Sequence, residues 1–293
     1  MNSASGAAIV VGVDGSEPAL RAVRLAAAEA ARRHRPLRVV HAFIWPLLRV
    51  PGGPLTGGPP GGGLRHQAEH LVEQAVAEAE ATVPGLRVTG EIIDGEASAV
   101  LLGETPTAAM IVLGDRGLGG FGALVIGSAA VQVATYADCP VLVARGEEHP
   151  DGPVVVGVDG SPASRAAVEF AVEQADVRGA ALHAVHAYRH PGSAGPGDMQ
   201  PLVYEESQLR GEEGRLLTES LAGIHERYPD LPVTHEVVRE RAVAALTAAS
   251  RRAVLVVVGG RGHGELAGLL LGSVSHAVLH HSACPVALVR TPE

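Results

Sequence analysis

Short apolar runs alternate with longer amphipathic stretches along the chain. Ala8-Ile9-Val10-Val11-Gly12-Val13 is followed by an Ala-rich stretch, Pro18 to Arg33, whose apolar residues recur at helical spacing. An unbroken apolar run of this length reads as a strand buried on both faces; the wider spacing reads as a helix with one covered face. A second strand, Leu37 to Ala42, precedes a charged amphipathic helix at about Leu64 to Thr82. Val88 to Ile93 follows as a strand, Ala97 to Glu104 as a helix, and Met110 to Leu113 as the most apolar strand. A further helix and the strand Val141 to Ala144 close the set. The succession then returns, with strands at 154–158, 182–187, 233–238, 254–258 and 286–289 and helices at 163–178, 204–228 and 242–251, and one more before the last strand.

Apolar strands alternating with helices predict a parallel sheet covered on both faces, the doubly wound, Rossmann-like α/β class. The repetition is literal in places. Val13-Asp14-Gly15-Ser16 returns as Val158-Asp159-Gly160-Ser161, and Cys139-Pro140 as Cys284-Pro285, each offset by 145 residues. Two tandem domains follow, 1–146 and 151–293, with the polar segment Gly146 to Gly152 between them. Parallel sheets leave unpaired edges, so the last strands are expected to pair the two halves as an internal pseudo-dimer. Between the second strand and the next helix each copy has a Pro/Gly-rich loop, Pro46 to Gly63 and Pro191 to Pro201; the first is expected to be mobile.

Composition narrows the function. A net charge of −9 argues against nucleic acid and membrane surfaces as partners, which select a basic face. No apolar run is long enough to span a membrane, and Met1 to Gly6 lack the pattern of a signal peptide. The two cysteines occupy equivalent positions before a proline and read as small buried hydrophobes in a reducing cytoplasm. All 23 basic residues are arginine. Without lysine there is neither a Walker A loop nor Schiff-base chemistry.

The chemistry concentrates after the fourth strand of each copy. Gly114-Asp115-Arg116-Gly117 leads, after nine more residues, to Gly127-Ser128; Gly259-Gly260-Arg261-Gly262 leads likewise to Gly272-Ser273. Glycines there let the backbone take positive φ and approach a ligand without a Cβ in the way. A serine at a helix N-terminus sits where unpaired N–H groups favour an anion. Arg116 and Arg261 either supply positive charge to that anion or point into solvent. In doubly wound sheets ligands bind beyond the carboxyl ends of the strands, where strand order reverses, so the Asp-Gly-Ser turn and the glycine motif are expected to meet.

This pattern, G-x2-G-x9-G-[S/T] with an aspartate after the first strand and Cys-Pro before the last, resembles the universal stress protein family in its tandem, ATP-binding form. The resemblance covers nearly the whole chain and implies adenine nucleotide alpha hydrolase-like domains. It places Asp14 and Asp159 beside adenine, with Ala42 and Ala187 contacting it through the backbone. It gives Gly114, Gly117, Gly259 and Gly262 to ribose and phosphate. Gly127 and Ser128, and Gly272-Ser273-Val274-Ser275, would bind the phosphate chain. The implied ligand is ATP, with magnesium as a candidate companion, and the implied assembly is a homodimer working with an unidentified protein partner.

The copies depart from one another at Ser275, which supplies a hydroxyl where Ala130 does not, and at Asp115, which stands where the second copy has Gly260. A carboxylate there either repels phosphate or holds magnesium, and the second site is expected to bind ATP more tightly. Gly117-x-Gly119-x-x-Gly122 also fits a dinucleotide fingerprint, but it follows the fourth strand and lacks the distal acid. His276/His280 and His66/His70 have zinc-chelate spacing without a third ligand and read as solvent-exposed; His41 and His186 recur in the second strand and read as buried, hydrogen-bonded residues. Asp14 with Ser16 and Asp159 with Ser161 are the repeated catalytic candidates, yet the serines read more simply as helix caps. The expected function is a nucleotide-dependent stress or signalling regulator without fast turnover; the competing reading is a slow ATPase or nucleotidyl-transfer enzyme on the same fold.

Overall fold

The computed structural model describes residues 7–44, 62–117, 126–147, 149–188, 206–260 and 271–291. The chain divides into two units, Met1–Ala144 and Arg145–Glu293. Unit 1 runs β1 (Ile9–Gly12), α1 (Glu17–Arg32), β2 (Leu37–Phe43), α2 (Gly62–Thr82), β3 (Val88–Asp94), α3 (Ala97–Glu104), β4 (Met110–Gly114), α4 (Ser128–Tyr136) and β5 (Val141–Ala144). Unit 2 runs β6 (Val154–Gly157), α5 (Pro162–Arg178), β7 (Leu182–Tyr188), α6 (Glu206–Ser220), α7 (Ile224–Arg227), β8 (Val233–Arg239), α8 (Ala242–Ser250), β9 (Leu255–Gly259), α9 (Ser273–His281) and β10 (Val286–Val289).

All strand pairs within each unit are parallel, in the order β3-β2-β1-β4-β5 and β8-β7-β6-β9-β10. The doubly wound fold is therefore present twice. The chain winds outward from β1 through β2 to β3, then crosses back to place β4 on the other side of β1. That reversal opens a crevice at the carboxyl ends of β1 and β4. Register is set by the apolar runs: Val11 lies between Val39 and Val112, and Val156 between Ala184 and Val257.

The core explains the composition. Ile9, Val11, Ile111, Val112 and Val143 are fully buried, and the covered face of α1 is Ala22, Val23, Ala26, Ala27 and Ala30. Alanine lets the helix axis lie close to the sheet, so few aromatic side chains are needed to fill the gap. Each buried Val or Ile contributes roughly 1.5–3 kcal/mol. One expected helix, 204–228, is two. α6 ends at Ser220, and Gly223, with a left-handed φ of +76°, caps the start of α7. The residues given to the mobile Pro/Gly loop lie almost wholly outside the described ones.

Two glycines in each unit shape the crevice for different reasons. Gly15 and Gly160 adopt φ of +87° and +80°, as the turn from strand to helix requires. Gly114 and Gly259 do not: a Cβ there would stand 2.8 Å from the carbonyl oxygen of Pro18 or of Ala163, in the first turn of the helix. Gly114→Ala and Gly259→Ala are each expected to destabilise their unit by roughly 2–3 kcal/mol; a denaturation midpoint equal to that of the parent would refute this. Cys284 is buried in the core, and Cys139 is partly buried. Burial pushes the Cys139 thiol up to about 12 and the Cys284 thiol up to about 11. At pH 8 neither should alkylate in the folded chain, and both should after denaturation, as read by mass spectrometry.

Candidate functional site

The turn after β1 builds the first wall of the crevice in unit 1. Asp14 Oδ1 accepts the N–H of Ser16 at 3.0 Å, which aims the carboxylate back over the strand ends. Ser16 then caps α1: its hydroxyl oxygen accepts the N–H of Ala19 at 3.3 Å and donates a long bond to the carbonyl of Arg116 at 3.5 Å. The cap residue thus also ties the turn to the glycine motif.

The second wall is the motif itself. A Cβ on Gly117 would collide with Asp14 Oδ2, so the absence of a side chain there makes room for the carboxylate. Among the described motif glycines none has a positive φ. The conformational reason expected from sequence is replaced by close approach at Gly114, Gly117 and Gly259. The loop is clasped at its neck by the Gly127 N–H donating to the Asp115 carbonyl at 2.9 Å; Gly272 does the same to Gly260 at 2.8 Å. Gly127 is the N-cap of α4, and Gly272 of α9, and neither offers a side chain to the first-turn N–H groups. Those donors are left to face outward, as an anion requires.

Between these walls lies a cleft of about 130 Å³. The structure brings Asp14, Ala42, Gly114, Arg116, Gly117 and Gly127 to it, all six expected from sequence. Ser128 opens α4 beside the cleft without lining it; Ala129 and Ala130 do so instead. Sequence reading missed Gly12 and His41 in the lining. A Cβ at Gly12 would stand 2.7 Å from Leu113 Cδ2, so this position is also a packing glycine.

Unit 2 repeats the frame with changes. Asp159 Oδ1 accepts the Ser161 N–H at 2.9 Å, and the Asp159 N–H donates to the Ser164 hydroxyl at 3.1 Å, a bond Ala19 cannot supply in unit 1. Ala187 is the next-to-last residue of β7, as Ala42 is of β2, and Gly272, Ser273 and Val274 open α9. Arg261 and Gly262 lie outside the described residues. Ser275 is buried, and its hydroxyl donates to the carbonyl of Gly259 at 2.5 Å. That bond ties the first turn of α9 to the end of β9.

Asp115 is likewise committed. It is buried; Oδ1 lies 3.3 Å from Arg21 Nη2, and Oδ2 lies 3.8 Å from Arg116 Nε. Each carboxylate oxygen thus faces a guanidinium group. Ser275 and Asp115, the two positions behind the expected tighter second site, are thus each partnered within their own unit. The signal for Arg21 was in the repeat: at the same offset Asp115 becomes Gly260 and Arg21 becomes Ala166, so acid and base leave together. Arg21 is half-exposed, so a double-mutant cycle of Arg21→Ala with Asp115→Gly should show coupling of about 0.5–1 kcal/mol. Strict additivity of the two changes would exclude the pairing.

The model of the universal stress protein family matches residues 7–145 and, again, 152–290. A universal stress protein of Mycolicibacterium smegmatis is 36% identical over 302 residues, covering 99% of each chain. A universal stress protein of Archaeoglobus fulgidus has the same fold, with a TM-score of 0.71 at 18% identity over 97% of this chain and 98% of its own. Another from that organism, solved in complex with dAMP, matches 48% of this chain's length at 26% identity and a TM-score of 0.37, over 99% of its own. The duplicated motif, the duplicated fold and the full-length match agree: this chain belongs to the universal stress protein family.

Proposed function

We propose that each unit binds one adenine nucleotide, ATP in the first instance, and that the chain serves as a nucleotide-dependent regulator in stress response or signalling, acting in the cytoplasm without fast turnover. The observation that carries this reading is the cleft of unit 1. There a carboxylate, a strand-end backbone and a bare helix N-terminus converge over glycines at the topological switch point. Asp14 and the backbone at Ala42 offer polar groups for base and ribose. The first turn of α4 and the guanidinium of Arg116 suit the phosphates. Unit 2 carries Asp159, Ala187, Gly259, Gly272 and Ser273 at the same element ends, and Arg261 and Gly262 complete its motif in sequence.

The arrangement favours holding over hydrolysing. His41 and His186 each commit Nδ1 to a backbone carbonyl, of Val13 at 2.8 Å and of Val158 at 2.6 Å. The described residues include no group of three or more His, Cys, Asp or Glu side chains placed to hold a metal ion. Among the described residues no helix is long and apolar enough to cross a membrane.

Calorimetric titration of the full chain with ATP should give two sites. Gly117→Val, which fills the space of the Asp14 carboxylate, should weaken one of them at least about tenfold, or roughly 1.4 kcal/mol. Failure of the full chain to bind ATP, ADP or AMP would overturn the reading. Steady phosphate release that Gly117→Val reduces would transfer it to the slow-ATPase alternative.

A further inference from the structure

His186 is buried near the end of β7, and both of its ring nitrogens meet acceptors. Nδ1 lies 2.6 Å from the carbonyl oxygen of Val158, and Nε2 lies 2.7 Å from Glu213 Oε2 on α6. A carbonyl cannot donate, and a carboxylate accepts, so the ring completes both bonds by carrying a hydrogen on each nitrogen. In that state it is an imidazolium clasped between the end of β6 and α6. Val158 immediately precedes Asp159, and His186 immediately precedes Ala187. The clasp therefore holds both chain ends that frame the base side of the second site.

Unit 1 provides an internal control. His41 makes the matching bond to Val13, but the position equivalent to Glu213 is Ala68, so the clasp is only half built. The other charged groups on the neighbouring elements lie toward the surface, with Glu169 paired to Arg227 at 2.7 Å. Arg210 and Glu212 on α6, Glu169 and Glu173 on α5, and His235 and Arg239 on the shared face of β8 are exposed. Neither β6 nor α8 carries a titratable side chain.

We propose that His186 is a positioning residue whose proton couples pH to nucleotide binding at the second site only. This rests on the nucleotide reading above. When the ring gives its proton to solvent it keeps one N–H, so either the Val158 carbonyl or Glu213 loses its donor, and the wall carrying Asp159 and Ala187 loosens. The clasp is complete only while both ring nitrogens carry hydrogen, so it favours low pH.

The test uses the full chain carrying Gly117→Val, so that calorimetry with ATP reads mainly the second site, from about pH 5 to 8. Affinity should fall about tenfold with rising pH. Adding Glu213→Gln should flatten the profile, because an amide can donate to the Nε2 of a neutral ring. Denaturation midpoints without nucleotide, with and without Glu213→Gln, read the clasp itself and should show the same loss of pH dependence. ATP binding with one pH profile in both variants would overturn the coupling and leave the nucleotide reading standing. No ATP binding at any pH would overturn both, and the midpoints would still show whether the clasp exists.

Discussion

The site depends on a contact between two backbones. Where β4 leaves the sheet, Gly114 lies against the carbonyl of Pro18 in the first turn of α1, and Gly259 lies in the same way against Ala163. Any side chain would force strand and helix apart. Because they touch, the turn after β1 and the loop after β4 share a wall, and the Asp14 carboxylate occupies the space above Gly117. The switch point of a doubly wound sheet opens a crevice; this contact gives the crevice a carboxylate on one side and free helix donors on the other.

Several differences between the two copies fall where a polar group has gained or lost a partner. Asp115 is buried with Arg21 at 3.3 Å, and their counterparts are Gly260 and Ala166. His186 reaches Glu213, whereas His41 faces a position held by Ala68. Ser164 and Ser275 bond to backbone groups in unit 2, where unit 1 has Ala19 and Ala130. The physical reason is common to all. A buried polar group without a partner is costly, so the acid goes when its arginine goes, and a hydroxyl enters only where a backbone atom can meet it. Divergence has altered the electrostatics around the sites while the glycine frame is kept.

Much of this was legible without coordinates. Unbroken apolar runs marked the strands because a parallel sheet covered on both faces has no polar side. The repeated glycine spacing marked the crevice, since few other constraints would hold small residues at the same offset twice. The strain-free φ values at Gly114, Gly117 and Gly127 were not legible. Sequence shows that a side chain is absent, and only packing shows whether a dihedral, a backbone or a carboxylate requires that absence.

By itself the sequence determined the fold class, the duplication and several residues that line the cleft of unit 1, because periodicity and repeated spacing are local properties of the chain. Tertiary structure alone decided what those residues do. It turned the Ser275 hydroxyl inward, set Asp115 between two arginines and joined His186 to Glu213. Such outcomes depend on distances between residues far apart in the chain, and a side chain's charge or proton acquires its role only from the partner that folding brings beside it.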